Sequence, residues 1–339
     1  MKNERWLAPH YYLDFSCKAD RCRNNCCTSW KIPVSVEEYN KLITMDCSDE
    51  LSRRIQNAFV MDESGTHHIS FNWLGLCPIQ EKGLCYLHRE KGEKFLPKVC
   101  RLYPRSLKNV NGVNIASCSS SCEAVIELLY DRDNLNIEEI DIDEKPEIYI
   151  NVDTETVEKI KSFNEIIKDR STTLAESIYD ICMIINKDEF SFDYYSDIDC
   201  LDKTISVFKR FYGSNAVIDE MIDDVNIRYK DSNNYYKDIE VFESNNKDWM
   251  SFFERVINNS MIYECFPFID KKVDQTRVYK GLCCCYGLMR LVCALSCKDG
   301  YNKDKIIDGI SSLFHLIDHT DFYYVISCIV DNTAIMLKM

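Results

Sequence analysis

Only 10 glycines and 7 prolines occur in 339 residues, and no two glycines stand as G-x-G. The Gly-rich turn that brings a backbone against a pyrophosphate is therefore missing, which excludes a Rossmann fingerprint and the usual glycine loops of nucleotide-cofactor folds. G-x-x-x-x-G-K-[ST] and G-x-S-x-G are absent too, which removes the P-loop and the nucleophile elbow. There are six histidines and no H-E-x-x-H. Met1–Leu13 has no apolar core of a secretory signal, so a reducing, cytoplasmic setting is expected. The longest apolar stretch, Gly281–Cys297, is interrupted by Arg290. It is short for a bilayer span, so it reads as a buried core helix, with no membrane partner. Positive charge is also in deficit: 41 Lys and Arg against 55 Asp and Glu give a net charge of −14. That argues against nucleic acid as a partner and is compatible with a partner that presents lysines.

Cysteine is what the chain has in excess. Ten of its 19 cysteines precede residue 131. Cys17, Cys22, Cys26 and Cys27 fall within eleven residues, flanked by Lys18, Arg21, Arg23 and Asn24, and Cys77, Cys85 and Cys100 follow. A chain of this size does not need disulfide staples. Loop cysteines among polar neighbours are poor core filler, unlike Cys283–Cys285, Cys293 and Cys297, which read as small buried hydrophobes in an apolar helix. The seven N-terminal cysteines are thus candidate metal ligands. Thiolates hold an iron–sulfur cluster, or zinc with four thiolates or three and a histidine such as His88. The C-x4-C-x3-C-C spacing matches neither a zinc ribbon nor a C-x3-C-x2-C loop. Adjacent Cys26 and Cys27 cannot both serve one relaxed tetrahedral site. Three ligands from Cys77, Cys85 and Cys100 plus one from the first group would complete a four-cysteine site.

The predicted fold is mainly α: a cysteine-rich cluster region with a short β-hairpin, then a helical body. Residues 1–130 form the cysteine-rich region and catalytic part, 131–153 an acidic, irregular connection, and 154–339 a helical domain. Ser35-Val36-Glu37-Glu38 is a capping box that opens a helix with Val36, Tyr39, Leu42 and Ile43 inward. Asn111-Gly112 between apolar runs predicts a hairpin. Ser120-x-x-Glu123 predicts a capped helix, whose start would lower the Cys122 pKa. Val157, Ile160, Phe163 and Ile167 keep a helical period, as do Leu174, Ile178, Ile181 and Ile185. Asp223–Lys247, rich in Asn and Asp, reads as an exposed loop. His315 and His319 suit a metal pair by spacing, but a helix surface is the commoner place for them.

Five blocks occur in order: F-S-C-K-A-D-R-C-R-N-N-C-C-T-S-W-K-I (Phe15–Ile32), L-G-L-C-P (74–78), G-L-C (Gly83–Cys85), L-P-K-V-C-R-L-Y-P-R (Leu96–Arg105) and S-C-S-S-S-C-E-A (Ser117–Ala124). This series resembles the flagellin lysine-N-methylases. The C-terminal half resembles them more loosely, through N-N-x4-E-C-F-P-F at 258–268. The chain departs at Ser121, where the family has the proline of a C-P-E element. The resemblance implies protein-lysine N-methylation with S-adenosylmethionine as donor, flagellin as substrate, a [4Fe–4S] cluster and an unusual methyltransferase fold. In that frame Trp30, Trp73 and Tyr103 are candidates to hold cationic groups by cation–π contact, or are ordinary core aromatics. Arg101 and Arg105 are candidates for the donor's carboxylate or the cluster's sulfides, or pair structurally. Two rival classes share the cysteines: a zinc- or cluster-stabilised binding module without catalysis, and a redox or electron-transfer protein.

Overall fold

The computed structural model describes residues 4–23, 26–27, 32–73, 75–151, 156–186, 197–214, 216–267 and 278–330. The chain divides into two compact units, Ser16–Arg105 and Met1–Phe15 with Ser106–Met339. Helix dominates, with 14 α-helices among the described residues and some sheet.

The larger unit is built around the helix Tyr279–Ser296, whose 18 residues are all buried. Its sequence explains this. Lys280 and Arg290 are its only charges; Arg290 binds Glu243 at 2.6 Å and stacks over Trp249 at 4.6 Å. Lys280 donates to the Val330 carbonyl. With its charges answered, the helix can turn apolar surface in every direction. It packs against the helices Leu174–Asn186, Asp197–Lys209, Ser232–Asn245, Trp249–Glu264, Lys303–Asp318 and Phe322–Ile329. Cys283, Cys284, Cys285, Cys293 and Cys297 are at most 1% exposed, as expected of buried hydrophobes. No described helix is long and apolar enough to cross a membrane.

A five-stranded sheet completes this unit, in the order Ile148–Ile150, Arg105–Val110, Val113–Cys118, Glu4–Pro9, Ile137–Ile142. The Asn111-Gly112 hairpin forms as the sequence predicts, with φ of 49° and 85°, the left-handed pair that a two-residue hairpin turn needs. Glu4–Pro9 runs parallel to Val113–Cys118 (Leu7 beside Ile115) and antiparallel to Ile137–Ile142 (Trp6 opposite Ile140).

Residues 131–151 are not irregular throughout. I-E-E-I-D-I alternates and forms the edge strand Ile137–Ile142, and Ile148–Ile150 adds the other edge. Acidic side chains are tolerated because an edge strand keeps one face in water. Asp223–Lys247 is not a loop either. It holds the end of the helix Ala216–Arg228 and the helix Ser232–Asn245. Buried Tyr235, Ile239 and Phe242 recur at helical spacing through the polar run, and Asp231 caps Asn233. The helix after Ser120 starts later than predicted, at Glu123 with Cys122 as its cap and no capping side chain. The side chains of Val157 and Ile160 lie outside the described residues; Phe163, Ile167, Leu174, Ile178 and Ile181 are buried as expected.

In the smaller unit, the capping box at Ser35 is formed in both directions. Of the four residues expected inward, Leu42 is buried and Tyr39 half-buried. Val36 and Ile43 face solvent, because an eight-residue helix needs only a narrow stripe to cover a small core. That core joins Ile32, Val34, Leu42, Leu51, Ile55 and Leu87.

Candidate functional sites

The smaller unit gathers thiols. Cys26, Cys77, Cys85 and Cys100 come from separate segments, yet each lies within electrostatic range of the other three. Burial first, then repulsion from these neighbours, pushes the Cys100 thiol far up. Burial likewise raises Cys77 to about 11 and raises Cys85. Backbone N–H groups of Ile79 and Gln80 donate to the Cys77 sulfur, and those of His88 and Leu87 to the Cys85 sulfur. Cys26 and Cys27 bond each other, which lowers Cys26 and raises Cys27. The Cys27 carbonyl accepts from Cys77 N at 3.0 Å, tying the first cysteine group to the second.

The nest thus includes five of the seven candidate ligands. Cys17 is exposed, its sulfur accepting from Ala19 N at 3.4 Å, and Cys22 follows the short turn Ala19–Arg21. Among the described residues, no group of three or more His, Cys, Asp or Glu side chains is closed around a point that would hold a metal ion. The donor set still suits a thiolate-ligated group. A buried cluster of neutral thiols becomes favourable to ionise once a cation is shared, and N–H···S bonds stabilise the ionised form. No cysteine is joined in a disulfide.

The other predicted residues scatter. Arg101 ends the short helix Lys98–Leu102 and lines a groove of about 600 Å³ with Lys41, Lys94, Lys98 and Glu38. Tyr103 and Arg105 are half-buried. Trp73 is 89% exposed. Trp30 lies outside the described residues.

The larger unit holds a second centre, which the sequence reading did not assemble. Asn259, fully buried on the helix Trp249–Glu264, donates to the Cys118 carbonyl (3.0 Å) and Ser120 Oγ (2.9 Å) and accepts from the Tyr11 hydroxyl. This fixes the Ser117–Ala124 turn against that helix. Ser119 Oγ donates to Asp318 Oδ2 at 2.5 Å, and Ser120 N–H also donates to the carboxylate. Ser121 Oγ is 2.6 Å from Ser119 Oγ and 2.8 Å from His319 Nε2. Asp318 Oδ1 is buried without a hydrogen-bond partner.

Burial, then the neighbouring Glu264 carboxylate, holds Asp318 well above the ordinary carboxyl range. Burial raises Glu264 as well, while Lys108 works against it. The Lys108 ammonium donates to the Tyr263 carbonyl and lies 4.9 Å from the Tyr263 ring centroid. Tyr11, Tyr263 and Tyr323 all feel the Asp318 charge. His315 and His319 are half-buried rather than exposed. Burial lowers them to about 4 and about 3, so both imidazoles are neutral near pH 7.

Residues 147–328, just over half of the chain, match the C-terminal domain model of the FliB lysine N-methylases. The chain belongs to the FliB lysine N-methylase family. It is 25% identical over 144 residues to a lysine-N-methylase of Salmonella typhimurium (strain LT2), across 41% of this chain and 36% of that protein. It is 27% identical over 146 residues to a lysine-N-methylase of Salmonella choleraesuis (strain SC-B67), again across 41% and 36%. The match therefore spans about a third of the length of these relatives. No solved structure matches the chain. Asn259, Glu264, His315, Asp318 and His319 all lie inside the FliB match, whereas the thiol nest lies outside it.

Proposed function

We propose that this protein methylates lysine side chains of flagellin, taking the methyl group from S-adenosylmethionine, and that its thiol nest carries an iron–sulfur cluster. The observation that carries the reading is the FliB match over residues 147–328. The neighbouring carboxylates Asp318 and Glu264 support it, because methyl transfer from a sulfonium to a lysine handles cations on both sides of the reaction.

Cys26, Cys77, Cys85 and Cys100 are the ligand set we assign, since all six pairs among them interact. Cys27 is left beside them, bonded to Cys26. The cluster supplies charge compensation for the thiolates and a rigid tie between the loops that carry them. Arg101 and Arg105 follow Cys100 within five residues. We assign them to the cluster's anionic sulfides, with the donor's carboxylate as the other anion of suitable chemistry, and keep Tyr103 as a candidate aromatic wall for a cationic group. The reading places the protein in the cytoplasm, where thiols stay reduced.

The test is incubation of anaerobically purified protein with flagellin and S-adenosylmethionine, followed by peptide mass spectrometry. Methyl increments on flagellin lysines are expected. An unmodified substrate with a protein that retains its metal favours the binding-module or redox reading. Iron and acid-labile sulfide in equal amounts are expected on metal analysis, and a colourless protein holding zinc overturns the cluster.

A further inference from the structure

We propose that Asp318 is the general base of the reaction, binding the ε-ammonium of the acceptor lysine beside Glu264, and that Ser119, Ser121 and His319 carry its proton away. The proposal rests on the methyl-transfer reading above and adds the acceptor site to it.

Four observations lead there. First, the centre brings two carboxylates together. Among the described residues, Lys108 is the cation that acts on both Asp318 and Glu264. An alkylammonium has the charge that complements such a pair. Second, a hydrogen-bonding position is open. Asp318 Oδ2 is taken by Ser119, but Oδ1 has no partner although it is buried. Buried polar atoms are nearly always satisfied, so an orphan oxygen on a carboxylate points to a donor that arrives with a ligand. The Tyr323 hydroxyl and Ser260 Oγ, on residues 3% and 1% exposed, lie by one another and have no other partner. Tyr323 feels the charges of both Glu264 and Asp318.

Third, the residues around the buried oxygen extend to the surface. Asp318, Glu264, Tyr263, His315 and His319 are deep among protein atoms yet each keeps part of its surface exposed. The half-buried Tyr263 ring already lies 4.9 Å from the Lys108 ammonium, the kind of contact an alkylammonium makes. Fourth, the proton has a path. Asp318 Oδ2, Ser119 Oγ, Ser121 Oγ and His319 Nε2 form an unbroken hydrogen-bonded series of 2.5, 2.6 and 2.8 Å. Hydroxyls both donate and accept, so a proton received by Asp318 can pass along the series, and His319, held neutral by burial, hands it on rather than keeping it.

The balance is simple. Asp318 takes one proton from the ε-NH₃⁺ group and the nitrogen lone pair is freed. That pair forms the N–CH₃ bond as the donor's S–CH₃ bond breaks and its electron pair returns to sulfur. A methylsulfonium and an amine become a thioether and a methylammonium. The proton on Asp318 leaves through Ser119. The raised proton affinity of Asp318 narrows its mismatch with an amine, as general-base catalysis requires.

The first test does not depend on turnover: calorimetric titration of the full-length protein with n-butylammonium chloride, against potassium chloride as control. Wild type should bind the amine, and Asp318→Asn should weaken binding by about tenfold or more. No amine binding by wild type overturns the proposal, whatever flagellin shows. If Asp318→Asn loses S-adenosylmethionine but keeps n-butylammonium, the pocket takes the donor sulfonium and the acceptor assignment falls. The second test is kinetic, at saturating donor. Asp318→Asn should lower kcat by about 100-fold or more. Ser119→Ala and His319→Gln should lower kcat with KM for flagellin unchanged and enlarge the solvent deuterium effect. Wild-type rates in Asp318→Asn overturn the base. Unchanged kcat and isotope effect in Ser119→Ala and His319→Gln overturn the relay. A wild type that binds the amine but never methylates flagellin sinks the flagellin reading and leaves the amine site standing.

Discussion

The two centres of this molecule are polar in opposite ways. The thiol nest draws on residues 26–100, in a unit of about ninety residues with a modest core. The Asp318 centre draws on Tyr11, Lys108, Ser119, Asn259, Glu264 and Asp318, more than three hundred residues apart in sequence, inside a helical body. Thiols tolerate burial as neutral groups and wait for a cation. Carboxylates do not, and each must be answered by donors or kept protonated. The nest can therefore lie on short loops, whereas the carboxylate centre needs a rigid helical frame around it.

The comparison is broken most sharply by removing thiols. Cys100→Ser should abolish metal binding, since it deletes one of four convergent donors, and Cys77→Ser or Cys85→Ser should do the same. Cys285→Ser, fully buried in the apolar helix, should leave metal content unchanged and lower thermal stability instead. Iron determination on the four purified variants checks this. Retained iron in all three nest variants would refute the ligand set.

Asn259→Ala should have the next largest effect, on stability. It removes the side chain that bonds the Cys118 carbonyl, Ser120 Oγ and the Tyr11 hydroxyl. Each buried group left unsatisfied costs about 1–3 kcal/mol, so a loss of roughly 3 kcal/mol or more in denaturant unfolding is expected. Gly281→Ala should cost less, about 1–3 kcal/mol. A Cβ there would come within 2.2 Å of the Tyr323 ring, so the ring, which feels the Glu264 and Asp318 charges, must shift. Methyl transfer should fall more than stability does.

These residues show what could be read in advance. The nest was legible because thiol density within a short segment is itself a chemical signal. The hairpin was legible because Asn-Gly has few other uses. The Asp318 centre was not, because Asp318, Glu264 and Ser119 are individually ordinary, and only the packing of the Trp249–Glu264 and Lys303–Asp318 helices against the Ser117–Ala124 turn makes them neighbours. Fragments of it were visible. N-N-x4-E-C-F-P-F contains Asn259 and Glu264, and the His315/His319 spacing borders Asp318. The departure from the resembling family at Ser121 also takes on a meaning, because a proline could not bond His319. Asp223–Lys247 was misread for a related reason: Asn and Asp on a helix's wet face look like loop when the buried Tyr235, Ile239 and Phe242 are not counted first.

Acid titration separates the titratable groups of the carboxylate centre by sign. His315 and His319 fall from about 6.5 in the unfolded chain to about 4 and about 3 when folded. The unfolded state then binds more protons, so stability should fall as pH drops from about 6.5 toward 3. Asp318 and Glu264 are raised by burial, so the folded state binds the extra protons there and stability should fall as pH rises from about 4. The opposed slopes partly cancel in wild type. In a His315→Gln, His319→Gln variant only the carboxylate slope should remain from this centre. Unfolding midpoints measured between pH 4 and 6.5 should then rise, relative to wild type, toward the acid end. A parallel pH dependence in both proteins would mean that the histidines are not held neutral.

The smallest effect lies at the edge of the nest. Ser35 Oγ accepts from Glu38 N at 3.2 Å, and the Glu38 carboxylate accepts from Ser35 N at 2.9 Å. The same carboxylate reaches Lys98 N at 2.6 Å, at the start of the helix that carries Cys100. Ser35→Ala should cost about 1 kcal/mol, the usual worth of such a cap, with iron content intact. Glu38→Ala removes the cap and the tie to Lys98 together. It should cost about 1.5–3 kcal/mol, as for hydrogen bonds to a charged group, and should speed iron loss to a chelator. Equal chelation rates in the two variants would show that the Lys98–Leu102 helix is held by its core contacts alone, and that the cap serves the fold without reaching the nest.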